Sequence, residues 1–124
     1  MTTWNPAVLA DIAGSDDLHI SPFRADGTTY GTPTWIWSVV VDDALYVRAY
    51  NGVRSRWHQS AMAQGAGRIS AGGHTLDVTF TPADETLTDA IDAAYRDKYA
   101  DSRYLPPMVS ARTQAATVRI DPAG

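Results

Sequence analysis

The stretch Tyr30–Trp57 constrains the fold of this chain more than any other part of its sequence. Residues Thr34–Val41 are rich in tryptophan, isoleucine and valine, which fit the pleated surface of a β-sheet. A two-residue turn, Asp42-Asp43, joins them to a second apolar run, Ala44–Tyr50. Because the connection is so short, the pattern predicts an antiparallel hairpin, which then leads into a helix start with arginines beside it.

The remaining pattern predicts a single α+β domain over residues 1–124, with residues 1–16 forming an N-terminal helix packed on it. The predicted helices are a first helix capped by Asn5 or Thr3 and ended by Gly14, a helix Trp57–Gln64 after Ser55, and a helix from Thr81 to about Tyr99. The predicted strands outside the hairpin are Asp17–Arg24, Arg68–Ser70 and Thr75–Thr81 around the turn Gly72-Gly73, and Ala115–Ile120. Leu105-Pro106-Pro107 is an irregular link. Six short antiparallel strands are enough to close a small β-barrel, and closure removes exposed strand edges.

Composition excludes several classes of function. With no cysteine, the chain has no disulfide, thiol nucleophile or thiolate metal ligand. The net charge of −4 argues against nucleic acid as a partner. No signal-peptide pattern is visible and the longest apolar run, Trp35–Val41, is too short for a membrane span, so we expect no membrane partner and a cytoplasmic location. Of the 10 basic residues only Lys98 is a lysine, which is typical of a GC-rich genome such as that of an actinobacterium.

The helix start at Ser55 is the first candidate binding site. Free backbone N–H groups and the helix dipole favour an anion there, and the flanking Arg54 and Arg56 can fork a phosphate or carboxylate. The alternative is a plain serine N-cap with two solvated arginines, because serine is common at this position.

Aromatic side chains supply a second candidate. Trp35 and Trp37 share one face of their predicted strand, where two indoles can stack a planar ring; core or dimer-interface packing is the alternative. Arg48 shares a face with Tyr50 on the next strand. Inside a small barrel Arg48 would need a partner carboxylate or a ligand, because an unpaired buried charge is costly, whereas outside it would be solvated.

The histidines and the late aromatic segment give weaker signals. His19, His58 and His74 have no metal-ligand spacing, so no metal site is expected. His58 follows Trp57 and is either a proton shuttle or a surface histidine. Lys98 and Tyr104 are either ligand contacts or parts of a helix end. On the same helix, Asp92 and Arg96 have the spacing of a favourable i,i+4 pair. No catalytic residue is assigned.

Several motifs together resemble a known family. They are TPTWIW, LYVRAYNG, SRW, GAGRI, AYRDKY and PMVS. The chain looks like a member of domain of unknown function 2255, within the FMN-binding split-barrel, or pyridoxamine-phosphate-oxidase-like, group. The resemblance implies a six-stranded antiparallel split β-barrel with flanking helices that forms a homodimer, with cofactor sites at the dimer interface. Carried over by position, Ser55 and Arg56 match the Ser-Arg of the group's phosphate-binding turn.

Two functions follow from this resemblance. The first is an oxidoreductase-like protein that binds FMN or the deazaflavin F420 and acts on a small molecule. In it Arg54, Ser55 and Arg56 meet the phosphate, Arg48 assists, and Trp37 and Trp57 line the ring pocket. The substrate contacts would be Tyr50, His58, Lys98 and Tyr104. The second is a cofactor-free pocket protein, or a small enzyme of secondary metabolism, for an aromatic or acidic metabolite. Trp57 stands where the group has lysine, and residues 34–41 carry no Arg or Lys, which favours the second function.

Overall fold

The computed structural model describes residues 3–123. The helices are α1 (Pro6–Ala13), α2 (Arg56–Gln64), α3 (Thr88–Lys98), α4 (Leu105–Met108) and α5 (Ala111–Gln114). The strands are β1 (His19–Pro22), β2 (Thr34–Trp35), β3 (Ser38–Val41), β4 (Ala44–Arg48), β5 (Ala66–Ala71), β6 (His74–Pro82) and β7 (Thr117–Pro122). The strands form one seven-stranded sheet in the order β2-β1-β5-β6-β7-β4-β3, with antiparallel neighbours throughout. The mixed α and β composition with an antiparallel sheet is confirmed.

The hairpin predicted in the first half of the chain is present. Strands β3 and β4 pair from Ser38 with Val47 to Val41 with Ala44. The two turn residues, Asp42 and Asp43, have φ angles of 50° and 62°. This left-handed backbone matches the twist of a two-residue hairpin, and aspartate tolerates it better than most residues.

The predicted strand Thr34–Val41 is not continuous, and this corrects the strand count from six to seven. Its first part, β2, pairs with β1, with Trp35 opposite His19. Its second part, β3, pairs with β4 on the other side of the sheet. Between them the backbone N–H of Ile36 donates to the carbonyl of Leu18 at 3.0 Å. Propensity favours extended backbone throughout this run, but it cannot show that the two halves have different partners.

The sheet is curled into an open half-barrel, which corrects the prediction of a closed barrel. Strands β2 and β3 are its two edges, yet only Ile36 and Trp37 separate them in the chain. In a flat sheet seven strands wide, the edge strands would lie about 29 Å apart. The chain from Trp35 to Ser38 can span only about 11 Å. The sheet therefore has to bend until its edges approach. We call the Ile36-Trp37 link, with the gap it bridges, the seam.

Strand β4 is covered on both faces, and this determines where Arg48 lies. Leu45 and Val47 belong to the larger core cluster, between the sheet, α1 and α2. Tyr46 belongs to a second cluster that includes Ile91 from α3. Because side chains alternate along a strand, Arg48 lies on the same face as Tyr46 and is directed towards α3.

Other boundaries differ from the predictions where local signals compete. The predicted helix start at Thr81 is wrong, because β6 continues to Pro82 and pairs with β7. Asp84 instead caps a 3-10 turn, Glu85–Leu87, that precedes α3, its carboxylate accepting the N–H of Thr86 at 2.9 Å. The first helix is confirmed, with Asn5 as its N-cap and Gly14 as its C-cap. Among residues 3–123 no helix is long and apolar enough to cross a membrane.

Candidate functional site

A cavity of about 400 Å³ lies at the seam. Its lining residues come from three parts of the chain: β2 with the seam, the end of β4 with the residues just after it, and the segment that follows α3. They are Trp35, Ile36, Trp37, Arg48, Tyr50, Tyr104 and Met108. This volume is in the range of small-molecule sites, and the lining is mostly apolar with one charged group, as such sites commonly are. We call it the seam pocket.

Arg48 is the one charged side chain among the described residues that line the seam pocket, and it is 1% exposed. Its Nε donates to Thr117 Oγ1 at 2.9 Å. Its Nη1 donates to the Met108 carbonyl at 3.0 Å and forms an ion pair with Asp92. Its Nη2 is buried and has no hydrogen-bond partner within residues 3–123. Leaving a buried donor of a charged group unmatched is costly, and the side chain that carries this donor is one of those that line the pocket.

The residues that contact Arg48 make further hydrogen bonds among themselves and with their neighbours. Asp92, on α3, also accepts from Gln114 Nε2 at 2.9 Å. Thr117 Oγ1 donates to the Gln114 carbonyl at 2.8 Å. The Arg48 guanidinium lies 5.3 Å from the centre of the buried Tyr95 ring. The bonds on Nε and Nη1 fix the plane of the guanidinium, so Nη2 is held in one position although it has no partner among residues 3–123.

The Trp37 indole forms a flat wall of the pocket. It stacks on the ring of Tyr99, with centroids 4.0 Å apart and planes 3° from parallel. The Tyr99 hydroxyl accepts from the Ser38 backbone N–H at 3.2 Å, and burial raises the pKa of this tyrosine to about 12. On the other side of the link, Trp35 is 55% exposed and its Nε1 donates to the Asp16 carbonyl at 2.8 Å.

The mouth of the pocket carries two exposed tyrosines, each with an arginine beside its ring. Arg112 lies 5.5 Å from the centre of the Tyr50 ring, and Arg103 lies 5.1 Å from that of Tyr104. The stem of Arg112 crosses Gly52, where a Cβ would stand 2.6 Å from Arg112 Cγ. Cations at the mouth raise the local concentration of anionic ligands.

Of the site residues predicted from the sequence, the structure brings four together in the seam pocket: Trp37, Arg48, Tyr50 and Tyr104. A buried Arg48 was expected to need a partner carboxylate or a ligand, and the structure provides a carboxylate, that of Asp92. The predicted i,i+4 pair is wrong, because Asp92 bonds to Arg48 and Gln114 while Arg96 is exposed. Trp35, raised as a ring-stacking alternative, also lines the pocket.

The helix start predicted to hold a phosphate is apart from the pocket lining. Ser55 is the N-cap residue of α2, but its side chain makes no capping hydrogen bond. Arg54 and Arg56 are exposed. None of the three is among the described residues that line the seam pocket. A flavin ring in the pocket would thus have its aromatic wall there, while the predicted phosphate contacts lie elsewhere.

Three further predicted contacts are Trp57, His58 and Lys98. Trp57 is 9% exposed and belongs to the larger core cluster. His58 is also buried, and its burial lowers the pKa of the imidazole below the ordinary value of 6.5. The Lys98 ammonium donates to the Ser38 carbonyl at 2.8 Å, and partial burial lowers its pKa. All three lie outside the pocket lining as described.

Three residues of the site were not predicted: Asp92 as the partner of Arg48, and Ile36 and Met108 as pocket walls. The requirement of Arg48 for a carboxylate was the only available signal for Asp92. Within residues 3–123 no group of three or more metal-ligating side chains comes together.

Comparison with known proteins places the chain in a family. No curated protein matches it. A family model described as "Uncharacterized protein conserved in bacteria (DUF2255)" matches residues 8–120, which is nearly the whole chain. The family expected from the sequence motifs is thereby confirmed: the chain belongs to the DUF2255 family of bacterial proteins.

Proposed function

We propose that this chain binds a small planar aromatic molecule in the seam pocket, with the polar end of the ligand on Arg48. The observation that carries the proposal is the free Nη2 of Arg48, a buried donor without a partner among residues 3–123, in a side chain that lines an otherwise apolar cavity. An acceptor on a ligand would satisfy this donor in a dry environment, where a hydrogen bond is worth more than in water.

The aromatic walls support a flat ligand. Trp37 is fixed against Tyr99 at 4.0 Å and also lines the cavity, so its indole can contact a ring without further ordering of the side chain. Tyr50 and Tyr104 stand at the mouth, where they can cover the outer part of a ring. Aromatic contacts of this kind contribute about 0.5–1.5 kcal/mol each beyond the area they bury. This is the pocket-protein function expected from the sequence; no catalytic residue is proposed.

A matched pair of variants tests the location of the site. Isothermal titration of 1-naphthoate should give saturable binding to the wild-type chain, weakened about threefold to tenfold in Tyr104→Ala. The control is Tyr30→Ala, the same change at a tyrosine that stacks on Phe23 and hydrogen-bonds to Asp77 instead. Equal affinities for both variants, or no binding to the wild type, would refute the proposed function.

The second candidate is the flavin- or deazaflavin-dependent oxidoreductase, as a homodimer. The observation that favours it is the flat Trp37–Tyr99 stack, against which an isoalloxazine ring can lie. Against it stand Arg54, Ser55 and Arg56, which lie outside the pocket lining. Titrations with FMN, riboflavin and F420, followed by visible absorbance, test it together with native mass spectrometry, which reports subunit number and retained ligand. Absence of a spectral shift with all three would exclude this candidate.

A further inference from the structure

We infer that the seam pocket selects ligands whose polar end carries no more than one negative charge, with an aryl carboxylate as the fitting class. This inference rests on the proposed function, because it describes the ligand of the same pocket. Its basis is the way in which Arg48 is already engaged by the protein.

Asp92 neutralises the cation that a ligand would meet. The two side chains form an ion pair, and they are 0% and 8% exposed. The pair therefore presents hydrogen-bond donors but almost no net charge to the pocket. A second negative charge on the ligand would find no counter-charge beside this pair, and burying an uncompensated charge costs much free energy.

The number of free donors sets the same limit. Nε of Arg48 is bonded to Thr117, and Nη1 to Met108 and Asp92. Only Nη2 remains without a partner, so Arg48 cannot make the bidentate hydrogen bonds, one from each of two nitrogens, with which arginine commonly binds a phosphate. One nitrogen suits the single charge of a carboxylate, and the charge-assisted bond favours it over a neutral carboxamide.

The arginines at the mouth do not supply the missing charge. Arg103 and Arg112 are exposed, and they lie beside the rings of Tyr104 and Tyr50. Exposed cations are screened by water and salt, so they attract anions towards the mouth but contribute little to holding a second charge inside. Their presence favours an anion over a neutral ligand and is consistent with one charge.

Three ligands with the same ring system allow the effect of the polar group's charge on affinity to be separated from the effect of its shape. They are 1-naphthoate, 1-naphthalenesulfonate and 1-naphthyl phosphate, titrated at pH 8, about two units above the second pKa of a phosphate monoester. Naphthoate and the sulfonate carry one charge, and the sulfonate has the tetrahedral shape of the phosphate. We expect the sulfonate to bind like naphthoate within about threefold, and the phosphate to bind at least about tenfold more weakly than the sulfonate.

The outcomes are distinguishable. If none of the three binds, or if Tyr104→Ala changes none of the affinities, the proposed function fails. If they bind in the pocket but the phosphate is as tight as the sulfonate, only the charge limit is overturned. A sulfonate as weak as the phosphate also overturns it, because shape would then be the cause.

A variant tests the role of Asp92 directly. Asp92→Asn removes the neutralising carboxylate, so the affinity ratio of sulfonate to phosphate should fall by about tenfold. Asp77→Asn is the matched control, since that carboxylate is exposed in an ion pair with Arg68 and should leave the ratio unchanged. An unchanged ratio in folded Asp92→Asn refutes the inference. If circular dichroism shows that this variant does not fold, the three ligands on the wild-type chain decide.

Discussion

The buried pair of Arg48 and Asp92 should behave as one unit in folding. Replacing either residue alone leaves its partner in the interior without a counter-charge. Arg48→Met leaves the Asp92 carboxylate with only the Gln114 amide. Asp92→Asn leaves the guanidinium, whose side chain is 0% exposed, with neutral partners alone. A double variant, Arg48→Met with Asp92→Asn, removes both charges together.

The magnitude follows from this burial. Breaking one partner of a buried ion pair costs about 3–5 kcal/mol, whereas replacing both by neutral groups of similar volume is often close to neutral. A domain of this size has a total free energy of unfolding of about 5–15 kcal/mol, so each single variant should lose a large fraction of it. The double variant should be more stable than the two single effects add up to, by about 3 kcal/mol or more.

Urea denaturation followed by far-UV circular dichroism measures all the terms of this cycle. Asp77→Asn is the internal standard, because Asp77 makes an ion pair with Arg68 in which the two side chains are 56% and 42% exposed. Its midpoint should move little, since exposed pairs contribute little. A coupling energy near zero, or an Asp92→Asn midpoint no lower than that of Asp77→Asn, would refute the reasoning.

Three further predictions concern other parts of the chain. Burial lowers the pKa of His58 in the folded state, so the unfolded chain takes up a proton at a higher pH than the folded chain does. The wild type should therefore lose stability as pH falls below 6.5. In thermal melts between pH 7 and pH 5, His58→Gln should lose less stability than the wild type. Arg103→Gln combined with Arg112→Gln should slow stopped-flow association of 1-naphthoate at low salt but not that of 1-naphthamide, which carries no charge. Gly52→Ala should cost about 1–3 kcal/mol more than Gly73→Ala, since both glycines have positive φ but only Gly52 has a neighbour, Arg112 Cγ, 2.6 Å from the added Cβ.

The parts of the fold that could be predicted from the sequence depend on neighbouring residues. The hairpin at Asp42-Asp43 requires a tight turn between two apolar runs, and both are visible in the sequence. The first helix has its cap, Asn5, and its stop, Gly14, within ten residues of each other. Such elements are determined by local chemistry, so the residues alone were enough.

The break at the seam could not be predicted in this way. Residues 34–41 are extended-chain formers from end to end, and nothing in them marks a change of partner. The change arises because β1 and β4 lie at different places in the sheet and each takes half of the run. Pairing is a property of distant segments, so neither the break nor the open edges of the sheet can be inferred from this run of residues alone.

As with the fold, only the part of the site that follows from local chemistry could be predicted from the sequence. The cost of burying a charge indicated that Arg48, if buried, needs a carboxylate or a ligand, but it could not say which carboxylate. The partner is 44 residues away, on α3, and the local i,i+4 rule assigned Asp92 to Arg96 instead. Local pairs on a helix surface are worth about 0.2–0.5 kcal/mol, which is far less than the cost of an unpaired Arg48, so the distant pairing prevails.

The same comparison of magnitudes explains why the most visible anion signal in the sequence is not at the cavity. A helix start with arginines, such as Arg54 to Arg56, is formed by consecutive residues and can be read directly, but exposed arginines interact with water at little cost. The free donor of Arg48 is costly because it is buried, and that burial comes from residues of α3, α4 and β7 that surround the guanidinium. A ligand gains more from satisfying a costly buried donor than from displacing water at an exposed one. The packing of α3, α4 and β7 around Arg48 is therefore what makes an ordinary strand arginine the strongest candidate contact for a ligand in the described part of this chain.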